Sequence, residues 1–222
     1  MNNPVARKLI AKELYLNRGL IGAAFLGGLV SIGISALGRI PFAIGSITYL
    51  TTVVAFGVVL AMFSIATERK EKSVIFVLSL PISRAEYLRS KLAGVALSFL
   101  IPWAVLLVVA VAVIKATPIP DGAILLTVLL MGFLLMNFSV IVCVLMMVKN
   151  EAVMTLLIIV TNVSVTFFLV GITNLTSVGP AMARDVLVWD ATARIILGCE
   201  AAVIAAAFLI SSWINGREPD II

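Results

Sequence analysis

A chain of 222 residues that is 62% hydrophobic and 12% charged, with a mean hydropathy of +1.21, lies outside the range of soluble globular proteins and inside that of integral membrane proteins. At roughly twenty residues per crossing it has room for about six spans and no separate catalytic domain. The net charge of +5 comes from basic residues confined to short segments beside apolar runs, which is the mark of membrane topology and argues against nucleic-acid binding.

Histidine is absent, which removes the commonest metal ligand and general base; no metal site and no Ser-His pair is expected. Cys143 and Cys199 both fall inside apolar runs, where thiols behave as small core residues. The first 18 residues are too polar for a secretory signal peptide, so the N-terminus is expected to be retained.

On a helical wheel, Pro4 to Arg18 gathers Val5, Leu9, Ile10, Leu14 and Leu16 in one half and Arg7, Lys8, Lys12 and Arg18 in the other. This predicts an interfacial amphipathic helix lying along a membrane leaflet. Glu13 falls within the apolar half. Either it meets a basic side chain, as on another subunit, or the helix end frays and turns it to water.

The first span is predicted over residues 19–38. Gly19, Ala23, Gly27, Ser31 and Ser35 recur at every fourth position, a stripe that lets a second helix of this chain or of another copy approach closely. Arg39 to Ala43, with Pro41, is read as an outer turn, and the second span as residues 45–66.

Thr67 to Lys91 is the long charged interruption. It holds six of the sixteen Lys and Arg residues together with Glu68, Glu71 and Glu86, a mixed-charge platform able to dock a partner. Ser83 and Glu86 form a capping box, so a helix is expected to begin near Arg84. Pro81 separates it from the preceding run, Ser73 to Leu80, predicted as a short helix or turn. That run is apolar almost all round, so it buries one side in a partner or lies against lipid and binds nothing.

The third span is predicted over residues 92–114, with a kink at Pro102. An outer loop at residues 115–122 follows, then a fourth span at 123–148, a tight turn at Lys149 to Glu151, and a fifth span at 152–172. Thr173 to Arg194 is too long for a turn and too mixed for a span, and it is expected to dip partly into the membrane, buried in protein or lining water. The sixth span is predicted over residues 195–214. Within it Glu200 is the sole acid of any span, predicted one to two turns from the outer edge. Pairing with Arg194 or Arg184 is one reading and lining a translocation path is the other.

With the N-terminus inside, inner segments hold 12 of the Lys and Arg residues and outer segments hold 4. The positive-inside rule therefore predicts a multi-pass protein with both termini, and residues 67–91, in the cytoplasm.

The 67–91 segment resembles the cytoplasmic loop between the second and third spans of ABC-2 type transporter permeases. That pattern runs roughly Glu-Arg-Glu-x-Gly-Thr, an apolar run, Leu-Pro-x-Ser, and a later Lys. Here it is met at Glu68, Arg69, Ser73 in place of Thr, Leu78, Leu80, Pro81, Ser83 and Lys91, and departed from at Lys70 and Lys72. The resemblance in layout covers essentially the whole chain, and implies a single ABC-2 type transmembrane domain over residues 1–222 with a coupling helix between spans two and three. It implies export across the cell membrane, a separate cytoplasmic ATPase carrying the ATP and Mg, and a second permease copy or paralogue. On that reading Phe76, Val77 and Leu80 enter a groove on the ATPase, while Glu68 and Arg69 brace the loop against the N-terminal helix. The loop's docking set is completed by Ser73, Pro81, Ser83 and Arg84. The first-span stripe becomes a dimer-seam candidate, and residues 173–194 become short outer helices.

This chain has no phosphate-binding Gly-x-x-x-x-Gly-Lys-Ser/Thr loop, so it is not expected to be an enzyme or to bind a cofactor by itself. The alternatives are a non-transporting scaffold that recruits a cytoplasmic partner, and a secondary carrier or channel. Against a carrier stand the single in-span acid and the lack of repeated halves.

Overall fold

The computed structural model describes residues 4–67, 84–148 and 150–217. Among these residues there is no strand. They form seven α-helices: α1 (Pro4–Leu16), α2 (Arg18–Ser35), α3 (Arg39–Ala61), α4 (Arg84–Ala116), α5 (Gly122–Met147), α6 (Glu151–Asn174) and α7 (Ala191–Arg217). A π-helical turn, Met62–Thr67, continues α3, and a 3-10 turn, Pro180–Ala183, precedes α7. Six helices, all but α1, are long and apolar enough to cross a membrane. The protein is an all-α integral membrane protein.

The turn between α2 and α3 is tighter than the sequence predicts. Gly38, at φ +138°, takes a conformation that favours glycine, and α3 starts at once at Arg39. Pro41 thus sits in the first turn of a helix, where its missing N–H is not needed, rather than in a loop. α2 and α3 then pack as a close hairpin. A Cβ placed on Gly45 would lie 2.6 Å from the carbonyl oxygen of Ser31 and the amide nitrogen of Ser35, and one on Gly27 would lie 3.1 Å from Thr52 Cγ2. The Ser31 and Ser35 hydroxyls donate to the carbonyls four residues back, at 2.7 and 3.0 Å, so they enter this apolar contact already satisfied.

α5 is apolar on every side and is accordingly the central helix, lying against α3, α4, α6 and α7. Phe56 of α3, Phe99 of α4 and Phe138 of α5 stack in a row, with centroids 5.5 and 3.9 Å apart. Each such pair adds about 0.5–1.5 kcal/mol beyond its buried area. Phe133 of α5 stacks on Phe168 of α6 at 3.8 Å. The Trp103 indole N–H donates to the Met131 carbonyl at 2.9 Å, linking α4 to α5. Pro102 is buried within α4, as expected of an in-helix proline held by its neighbours.

α4 has 33 residues, so it is roughly 50 Å long against an apolar layer of about 30 Å. Its first turns extend beyond that layer at the end of the bundle that carries α1 and the π-helical turn, called here the loop end. At the opposite end, Val178 and Ala181 are buried against Leu125, Leu129 and Ala193, and the Gly122 amide donates to the Arg184 carbonyl at 2.9 Å. Residues 175–190 therefore cap α5 as a turn, a 3-10 turn and an extended stretch instead of forming short α-helices.

Candidate functional site

The site begins with α1. Its apolar face lies on the first turns of α4, and Glu13 sits in that face, as the wheel indicates. The partner is in the same chain: Lys91 Nζ donates to Glu13 Oε1 at 2.7 Å, with both side chains 6% exposed. A basic partner is thus met as expected, but in the same chain and not on another subunit, and the alternative of a frayed end in water is corrected. Gly94 permits the approach, because a Cβ there would lie 2.8 Å from both Cβ and Cγ of Glu13. Lys91 and Gly94 are three residues apart on one helical face, so the charge and the gap that admits its partner come together.

One turn further along, Asn17 occupies the junction between α1 and α2. Its Nδ2 donates to the Glu13 carbonyl at 2.9 Å and to Ser64 Oγ at 3.1 Å. Ser64 is buried in the π-helical turn that runs to residue 67. Turns of this kind are rare and recur at functional positions, since the inserted residue loosens the backbone ladder. The N-terminal helix thus holds both flanks of the 68–83 segment: the incoming flank through Asn17 and Ser64, the outgoing flank through Glu13 and Lys91.

Glu68, Arg69, Ser73, Phe76, Val77, Leu80, Pro81 and Ser83 lie outside the described residues. The helix expected near Arg84 is present from that residue. The flanking clamp is not among the sequence expectations, which include neither Asn17, Ser64 nor Gly94 and place Lys91 only in the loop pattern. The legible signal was Lys91 followed by Gly94 at the start of an apolar span.

The small-residue stripe divides. Gly27, Ser31 and Ser35 face α3 of the same chain, whereas Gly19 and Ala23 are exposed, with nothing within 4 Å of a Cβ added at Gly19. The dimer-seam expectation is therefore corrected for its last three members, whose partner is intramolecular.

Glu200 is 4% exposed on α7, and both its carboxylate oxygens are buried without a hydrogen-bond partner among the described residues. Arg184 and Arg194 are exposed, so the expected pairing with either is not formed. α7 begins at Ala191, four residues before the predicted start, which puts Glu200 nine residues, roughly 13 Å, into the helix. It faces Gly132, ten residues or roughly 15 Å into α5, and a Cβ on Gly132 would collide with Glu200 Oε2. The carboxylate is thus deeper than predicted. On insertion scales an in-span acid costs about 2.5–3.5 kcal/mol at mid-depth, and acids kept at that cost usually serve a partner or a path.

A family model described as ABC-2 family transporter protein matches residues 8–215. The chain belongs to the ABC-2 transporter family. Neither a curated protein nor a solved structure matches it. Six apolar crossings in one bundle agree with a membrane component of a transporter, and in this ABC-2 protein the match includes most of α1, the loop flanks and Glu200. Among the described residues no group of three or more potential metal ligands converges.

Proposed function

We propose that this chain is the transmembrane permease subunit of an ATP-driven exporter, coupled through residues 67–91 to a separate cytoplasmic ATPase that binds the ATP and Mg. The observation that carries this reading is the double attachment of the N-terminal segment, α1 to Lys91 through Glu13 and the junction residue Asn17 to Ser64. A segment displaced by a partner would otherwise move α3 or α4 alone; with both flanks tied to one helix, the ends of the two spans move together. ATP binding would close the ATPase pair and displace the apolar run 73–80, with Phe76, Val77 and Leu80 seated in the ATPase groove. The tilt then passes into α3 through the π-helical turn and into α4 through its unbroken length.

The charge distribution supports both termini on the cytoplasmic side of the cell membrane. The functional unit pairs this chain with a second copy or a close relative, and Gly19 and Ala23 are the part of the stripe left for that seam. Glu200 belongs to the translocation path, closed in the present packing.

The test is affinity purification of the tagged chain from its native membrane in mild detergent, with ATP hydrolysis measured on what accompanies it. An ATPase is expected with wild type and is expected to be lost with Phe76→Asp while the chain stays in the membrane. Wild-type transport by that variant would overturn the docking assignment.

A further inference from the structure

The Glu200 site has features that path lining alone does not require. Both oxygens are withdrawn from solvent and unpartnered among the described residues. The opposing position on α5 is a glycine, and any larger residue would strike the carboxylate, so the helix surface is relieved where the acid sits. The wall is apolar, with Leu197 beside Gly132 and Leu129 one turn away on α5. A carboxyl in such surroundings stays ionised only beside a counter-charge, and its apolar frame favours one carried on an apolar body.

We propose that Glu200 is the recognition point for lipophilic organic cations, which it holds between α5 and α7. This rests on the permease reading and adds the class of substrate. In the present packing the carboxylate is covered, so a cargo reaches it when α7 shifts along α5. α7 is suited to that movement: it packs chiefly on α5, and only 11% of its span is buried, against 61% for α5. The cation then takes the place of the α5 surface against the carboxylate and gives it a partner. Gly132 sets the depth of the seat, and Leu197 covers the apolar part of the cargo.

The experiment uses the full chain in lipid nanodiscs and two probes of like size and opposite charge, tetraphenylphosphonium and tetraphenylborate. Wild type is expected to bind tetraphenylphosphonium saturably, with no competition from tetraphenylborate. Loss of a desolvated charge pair predicts that Glu200→Gln weakens binding by about tenfold or more, and that Glu200→Asp retains most of it. A second measurement needs no variant: labelling of the in-span carboxyl by dicyclohexylcarbodiimide should be blocked by tetraphenylphosphonium and not by tetraphenylborate. Equal binding by wild type and Glu200→Gln, equal competition by the two probes, or no saturable binding to wild type would each overturn the proposal. Copurification of an ATPase is scored separately. If it persists without cation binding, the permease reading stands and the substrate class falls; cation binding with no ATPase keeps the site and removes the ATP-driven reading.

Discussion

Glu13 and Lys91, 78 residues apart in sequence, meet at 2.7 Å between the N-terminal helix and the start of α4, and both are almost fully covered. Removing one member takes this contact away from a buried charge, which costs up to about 3–5 kcal/mol, whereas exchanging the two signs keeps the pair. Glu13→Gln and Lys91→Met are therefore expected to lower the thermal midpoint in detergent. The exchanged protein, Glu13→Lys with Lys91→Glu, should recover most of the loss. Single variants as stable as wild type would show that the pair contributes little.

A covalent link should replace the contact between Asn17 and Ser64, whose side chains meet at 3.1 Å. In a background with Cys143→Ala and Cys199→Ala, Asn17→Cys with Ser64→Cys is expected to form a disulfide on oxidation. Because the proposed coupling keeps this contact while both flanks move together, oxidation is expected to leave transport intact; loss of transport on oxidation, restored by reductant, would overturn the joint movement. Full transport by the oxidised protein would mean that α1 and the π-helical turn travel as one rigid piece throughout the cycle.

Two glycines of the α2–α3 hairpin should behave in opposite ways. A methyl at Gly45 meets backbone atoms of Ser31 and Ser35 at 2.6 Å, while one at Gly33 meets nothing within 4 Å. Gly45→Ala is expected to destabilise by about 1–3 kcal/mol or more, because backbone cannot rotate away as a side chain can. Gly33→Ala should be neutral or stabilising by up to about 1 kcal/mol, from helix propensity. Thermal melts of the two variants side by side decide this, and a reversed order would sink the packing account.

At the opposite end, a Cβ on Gly122 would collide with the Ala181 carbonyl. Gly122→Ala should free the cap over α5, raising amide exchange in residues 178–184 while leaving the loop end unchanged. Unaltered exchange there would argue that the 3-10 turn is held by Val178 and Ala193 alone.

Much of the architecture is legible in the chain because the relevant signals are local. Each span is an apolar run long enough to cross a bilayer, and the amphipathic face of α1 is visible within thirteen residues. The sequence is silent where a residue's role depends on a distant neighbour. Glu13 stands out of place on the apolar half of its helix, yet nothing near it in sequence names Lys91. For Glu200 the sequence offers Arg194 or Arg184 as a partner, or a place on a translocation path, and Arg194 is the nearest in the chain. Six residues of helix rotate that arginine about 240° around the axis, so the two do not share a face.

The sequence by itself determined that this is a six-span, all-helical membrane protein with a charged segment between its second and third spans, because hydropathy, length and charge are properties of contiguous residues; the family is legible separately, in the motif of residues 67–91. Only the tertiary structure decided that α1 ties together the two flanks of that segment, that Gly27, Ser31 and Ser35 serve the chain's own hairpin, and that Glu200 is buried against Gly132 without a partner among the described residues. The physical reason is that in lipid the apolar faces of helices differ little in transfer energy. Which faces meet is then set by small residues, hydrogen bonds and charges matched across long sequence separations, and those matches exist only once the helices are packed.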